Sequence, residues 1–154
     1  MALPVNVARF VDELEGISPE WYVYLNRQTG EFVGFTRDVA NNVESGPAPG
    51  DLSDWEQEMV RQAEDAMGSD DYLPLPSQFE IDEYDIMRRF ARHYPVDSIS
   101  YQLSNALHGS GVFRRFKDIV HRCGIADEWY AYRQAAFETI AVAWLEENGI
   151  PYTR

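Results

Sequence analysis

Apolar residues recur along this chain with two different periods, and the changes of period divide it into elements. Val7, Phe10, Val11 and Leu14 follow helical spacing, which predicts a short amphipathic helix over residues 4–15 with Gly16 as a left-handed stop. The stretch WYVYLNRQTGEFVGF then changes to two β-rich runs, residues 21–25 and 31–35, around a turn in which Gly30 takes the positive-φ position. A lone two-stranded ribbon is marginal in water, so it has to pack on helices or recruit a third strand. YLPLP at 72–76 is the candidate, and Pro74 and Pro76 confine it to an edge.

Residues 41–51, NNVESGPAPGD, carry two glycines and two prolines and read as a mobile loop. Beyond it the helical period returns. Ser53 and Glu56 form a capping box that opens a helix reaching about Met67. Asp82 caps the next helix, with Ile81 and Ile86 at its staple positions, Ile86, Phe90 and Ala91 as its inner stripe, and Pro95 as its end. Asp97 starts another, burying Ile99, Leu103 and Leu107. At about 100° per residue, Val112, Phe113, Phe116, Ile119, Val120 and Cys123 fall within one arc of about 120°. A last helix over 126–148 buries Tyr130, Phe137, Ile140, Ala141 and Trp144, and Gly149 with Pro151 closes it. The expected fold is α+β and mainly α-helical, with about five or six helices around a small antiparallel sheet near the N-terminus.

Length and composition fit that picture. With 154 residues, of which 45% are apolar and 14% aromatic, the chain is expected to fill one domain, 1–154, with its own core. Cys123 is the single cysteine, so no internal disulfide framework exists. The N-terminus lacks the pattern of a leader and no stretch is long enough to span a membrane, so a cytoplasmic location is expected.

Charge changes the picture more. A net charge of −13 argues against nucleic acid and membrane surfaces as partners. The average hides an asymmetry. Residues 51–85 hold twelve acids against the one base Arg61, whereas residues 88–122 hold seven bases against Asp97 and Asp118. Three of those bases, Arg114, Arg115 and Lys117, stand directly behind the turn Gly109, Ser110, Gly111.

These segments resemble a bacterial family, the uncharacterised protein family zero-one-five-eight. The hairpin WYVYLNRQTGEFVGF, then YLPLP, LHGSGVFRRFKDIV, EWYAYR and AVAWLEENGI occur in the order that family shows, over about residues 20–150. Val112 stands where the family usually carries alanine. The resemblance implies a fold and brings no activity with it.

The glycine turn is the leading candidate for a ligand. Unpaired N–H groups at a helix start attract anions, glycines let an anion approach, and Arg114, Arg115 or Lys117 supply charge. A phosphate-bearing ligand, a nucleotide or RNA end, would fit there. The bland alternative is that Gly109 ends one helix, Ser110 or Gly111 caps the next, and the bases form a solvated face, partly paired with Asp118. Other chemistry fares worse. The turn lacks the Lys-Ser/Thr ending of a P-loop, and Ser110 lacks the glycine spacing of an esterase elbow. His121 and Cys123 project about 160° apart on one helix. Asp70, Asp71, Asp82, Glu83 and Asp85 do not follow a calcium loop, and no cofactor or metal is expected. Trp55 sits in the first turn of an acidic helix, where an exposed anchor would serve a partner together with Glu56 and Glu58. The reading favoured by the sequence is a small acidic, non-enzymatic interaction or regulatory protein that binds a protein partner. The phosphate-binding reading is second and an enzyme third.

Overall fold

The computed structural model describes residues 3–16, 18–45, 53–77 and 81–154. Among these residues the fold is α+β and mainly helical. In chain order the elements are β1 (Val5–Asn6), α1 (Val7–Glu15), β2 (Trp21–Asn26), β3 (Phe32–Thr36), α2 (Arg37–Ser45), α3 (Asp54–Gly68), β4 (Tyr72–Pro74), α4 (Glu83–His93), α5 (Asp97–Ala106), α6 (Val112–Arg122), α7 (Ala126–Glu147) and β5 (Tyr152–Thr153). They form two compact units, Met1–Gln78 with Ala141–Arg154, and Phe79–Ile140. No described helix is long and apolar enough to cross a membrane.

The first unit is built on the expected hairpin. β2 and β3 are antiparallel with Tyr22 opposite Phe35 and Tyr24 opposite Val33, and β4 joins the other side of β2 with Leu73 opposite Leu25. The turn is held by the Asn26 side chain, whose Oδ1 accepts from Gln28 N at 2.8 Å and Thr29 N at 3.1 Å. Gly30 has φ 74°, and an added Cβ would meet the Pro4 carbonyl oxygen at 3.1 Å, so both backbone and space call for glycine. Phe35, Ala40, Ala63 and Ala66 pack as one cluster under this sheet, with Tyr24, Val39 and Met59 against them. Phe10 of α1 meets Phe32 edge-on at 5.7 Å and Trp144 at 5.3 Å.

Several expectations change in this unit. Residues 41–45, expected in the loop, form the second half of α2, and residues 46–51 lie outside the described residues. The helix is started by Thr36 Oγ1, which accepts from Val39 N at 3.2 Å, and Ala40 is buried with Val39 and Val43 packed on the same cluster. With α2 the described helices number seven, one more than the upper expectation. Gly16 ends α1 at φ −88°, in the right-handed region, because its N–H reaches back to Glu13 and Leu14 carbonyls without a left-handed step. A two-residue parallel ladder, Val5 with Tyr152 and Asn6 with Thr153, ties the two ends of the unit together.

The second unit is helical. Phe90, Phe116 and Trp129 form its centre, with ring centroids 4.8 to 6.2 Å apart and all three rings edge to face, and Leu103, Ala106, Val120 and Phe137 are buried with them. Asp82 caps α4 from a left-handed conformation, φ 48°, its side chain accepting from Asp85 N at 3.1 Å, and Ile81 and Ile86 are both buried. Val96 rather than Asp97 is the N-cap of α5, so Asp97 becomes its first helical residue. Ser100 Oγ donates to Ala91 O at 2.7 Å and Tyr84 OH to Leu107 O at 2.9 Å, which fix α5 on α4. α6 ends in a Schellman turn at Gly124, φ 71°, where Ile125 N donates to Val120 O at 2.9 Å.

Two side chains expected inside are outside: Phe113 is 51% exposed and Tyr130 45% exposed. Phe113 lies at the edge of the α6 arc, where Phe116 occupies the middle. Tyr130 is displaced by its neighbour Trp129, which is only 2% exposed, because adjacent helical residues project about 100° apart.

Candidate functional site

The turn ahead of α6 is made by two left-handed glycines, Gly109 at φ 81° and Gly111 at φ 72°, the second being the N-cap of α6 without any side-chain cap. Both positions would strain an L side chain. The guanidinium of Arg115 folds back over this turn. Nη2 donates to the carbonyls of Ala106, at 3.1 Å, and of His108, while Nη1 donates to the carbonyl of Ser110. Ala106 is the last residue of α5, so Arg115 closes the negative end of that helix. An added Cβ at Gly111 would lie 3.4 Å from Arg115 Nη1. Arg115 is therefore committed to its own loop, and the carbonyls gathered around it leave less room for an anion than the sequence implies.

Arg114 and Lys117 differ from it. Both are exposed, and among the described residues neither has an ion-pair partner; the pairings of Asp118 with Arg114 or Arg115 do not form. Ser110 is exposed on the turn. The other bases of this block are partly occupied: Arg88 and Arg89 pair with Asp85, and Arg122 donates to Gln102 Oε1 at 2.9 Å. Arg88's hydrogen bond, followed by the charges of Arg88 and Arg89, holds the Asp85 carboxyl below the usual aspartate range.

Beside the turn, α4, α6 and α7 leave a groove of about 180 Å³. Phe116, Trp129 and Met87, all nearly or fully buried, make its floor. The exposed rings of Phe113 and Tyr130 form its walls, and Lys117, Glu83 and Arg133 its polar rim. Arg133 Nε donates to Glu83 Oε1 at 2.6 Å, while its guanidinium lies 4.3 Å from the centre of the Phe137 ring. That pair is locally neutral, which leaves Lys117 as the net charge of the rim. Outside the groove lining, the His121 ring lies 6.4 Å from that of Tyr130.

The groove was hidden from the sequence. Its two sides are some 50 positions apart, as Glu83 and Arg133 show. The accessible signal was EWYAYR: two large adjacent aromatics in one helix rarely both turn inward, so one of Trp129 and Tyr130 had to face outward.

On the first unit, Trp55 is 66% exposed in the first turn of α3, the placement expected of it. Its acidic neighbours are engaged locally. Glu56 Oε1 accepts from Ser53 N and, at 2.7 Å, from Ser53 Oγ, and Glu58 pairs with Arg61. Asp54, also exposed, has no such partner among the described residues. No group of three or more His, Cys, Asp or Glu side chains placed to hold a metal occurs among the described residues.

No family model, curated protein or solved structure matches this chain.

Proposed function

We propose that the chain is a non-enzymatic interaction protein and that the groove of α4, α6 and α7 receives one large apolar side chain of a protein partner. The observation that carries this is the pair of exposed rings, Phe113 and Tyr130, standing over a buried aromatic floor with an unpaired lysine at the rim. Exposed aromatics around a preformed apolar depression are the usual anatomy of a binding hot spot. The groove, about 180 Å³, is smaller than the roughly 300–1,000 Å³ clefts that bury a drug-sized ligand and is of the size of one large anchoring side chain. Two of the three segments lining the groove, LHGSGVFRRFKDIV and EWYAYR, are among those that resemble the bacterial uncharacterised family, and membership of that family is part of the proposal. The phosphate-binding alternative is weakened by the commitment of Arg115 to three carbonyls.

The test is capture of partners from a cell extract by three immobilised chains: the parent, Phe113→Ser with Lys117→Glu, and Tyr101→Ser as an exposed control. A protein held by the parent and the control but lost by the groove variant, with binding that weakens as salt rises, supports the proposal. Equal recovery by all three chains refutes it.

A further inference from the structure

We infer that the groove binds the N-terminal turn of α3 from a second copy of the same chain, with Trp55 as the anchor and Asp54 as the carboxylate opposite Lys117. The inference rests on the proposed role of the groove and names its occupant. Its warrant is a match between two surfaces of one sequence. The groove calls for a large apolar side chain with a negative charge next to it, since its floor is Phe116 and Trp129 and its unpaired rim charge is Lys117. The first turn of α3 presents that combination. Trp55 is the most exposed tryptophan, at 66%, and Asp54 beside it is an exposed acid without a partner among the described residues.

Each surface is also hard to explain alone. A tryptophan exposed on a helix that buries Val60, Ala63 and Ala66 gives up a large burial gain, and an exposed Phe113 does the same on α6. Docking removes both from water. The seat is rigid where it matters. Asp54 and Trp55 lie inside the capping box formed by Ser53 and Glu56, and the groove floor is packed edge to face at 4.8 Å between Phe116 and Trp129. Trp55 and the groove are different patches, so each contact joins unlike surfaces. Two such contacts close a twofold dimer, and one contact repeated extends a chain of copies. The net charge of −13 opposes approach at long range, so association of two copies is expected to show only as the chain concentration rises.

Sedimentation velocity of the purified chain over a concentration series reads this directly. The parent is expected to form dimers or larger species with rising concentration. Trp55→Ala and Lys117→Glu, both surface changes that leave the fold intact, are each expected to weaken association by roughly tenfold or more. Mixing the two variants supplies one intact anchor and one intact groove, and a complex is expected to reappear in the mixture at 1:1. The exchange Asp54→Lys with Lys117→Glu in one chain is expected to restore self-association. A parent that stays monomeric up to roughly 1 mM, or variants that associate as the parent does, overturns the inference. If a monomeric parent still loses a captured partner with Phe113→Ser and Lys117→Glu, the groove retains its proposed function and only the second copy is excluded.

Discussion

Arg114 and Arg115 are adjacent arginines with opposite roles, and replacing each by methionine should separate them. Arg115→Met keeps a straight aliphatic stem while removing the charge and the donors that reach Ala106, His108 and Ser110. The His108 and Ser110 carbonyls are exposed, and water takes over there. The half-buried bond to Ala106, 3.1 Å long, sets the magnitude. A hydrogen bond from a charged donor contributes about 1.5–3 kcal/mol, so the unfolding midpoint should fall by roughly 3–12 °C for a chain of this size. Arg114→Met removes no partner and should change stability by less than about 0.5 kcal/mol. Thermal unfolding followed by circular dichroism, in a buffer without phosphate, compares the two. Equal midpoints for the two variants would refute the account of Arg115 as the clamp of its own turn and would return it to the pool of free anion ligands.

Two further outcomes follow from local geometry. In Gly34→Ala the new Cβ would lie 2.9 Å from the Trp21 ring, and the ring has to shift, at a cost of about 1–3 kcal/mol; a lower midpoint with an altered near-ultraviolet tryptophan signal is expected, and an unchanged melt contradicts the contact. Asp85 has its folded-state pKa lowered by Arg88 and then Arg89, so its contribution is full above the unfolded aspartate value of about 3.9 and is lost as pH falls through the folded value. Asp85→Asn should therefore melt below the parent at neutral pH, with the gap narrowing below about pH 4; a gap that persists unchanged to about pH 2 rules this out.

The sequence was most legible where one residue decides one feature. Ser53 with Glu56, Asp82, Gly30 and Gly149 each act within a few positions, and the structure has each in its expected turn or cap. It was less legible where neighbours compete. On α7 apolar residues run nearly all round the helix, so periodicity put Tyr130 inside where the fold buries its neighbour Trp129. α2 was hidden by Asn41 and Asn42, weak helix formers, and forms because Ala40 reaches the cluster around Phe35. The two-residue ladder of β1 and β5 has no periodic signature at all. For the candidate site, the sequence offered Arg115 and Lys117 alike as ligands for an anion. Only the fold distinguishes them, since the carbonyls that engage Arg115 lie five to nine positions away.

A photo-cross-linking residue in the wall of the groove under Phe113 and Tyr130 tests most directly whether that groove is a protein-binding seat. Placed at position 113 it should trap a protein adduct that disappears when Lys117→Glu is added. Placed at position 101, where Tyr101 is 70% exposed outside the groove, it should trap none. Adducts of equal yield from both positions, or an adduct at 113 indifferent to Lys117→Glu, would contradict the account.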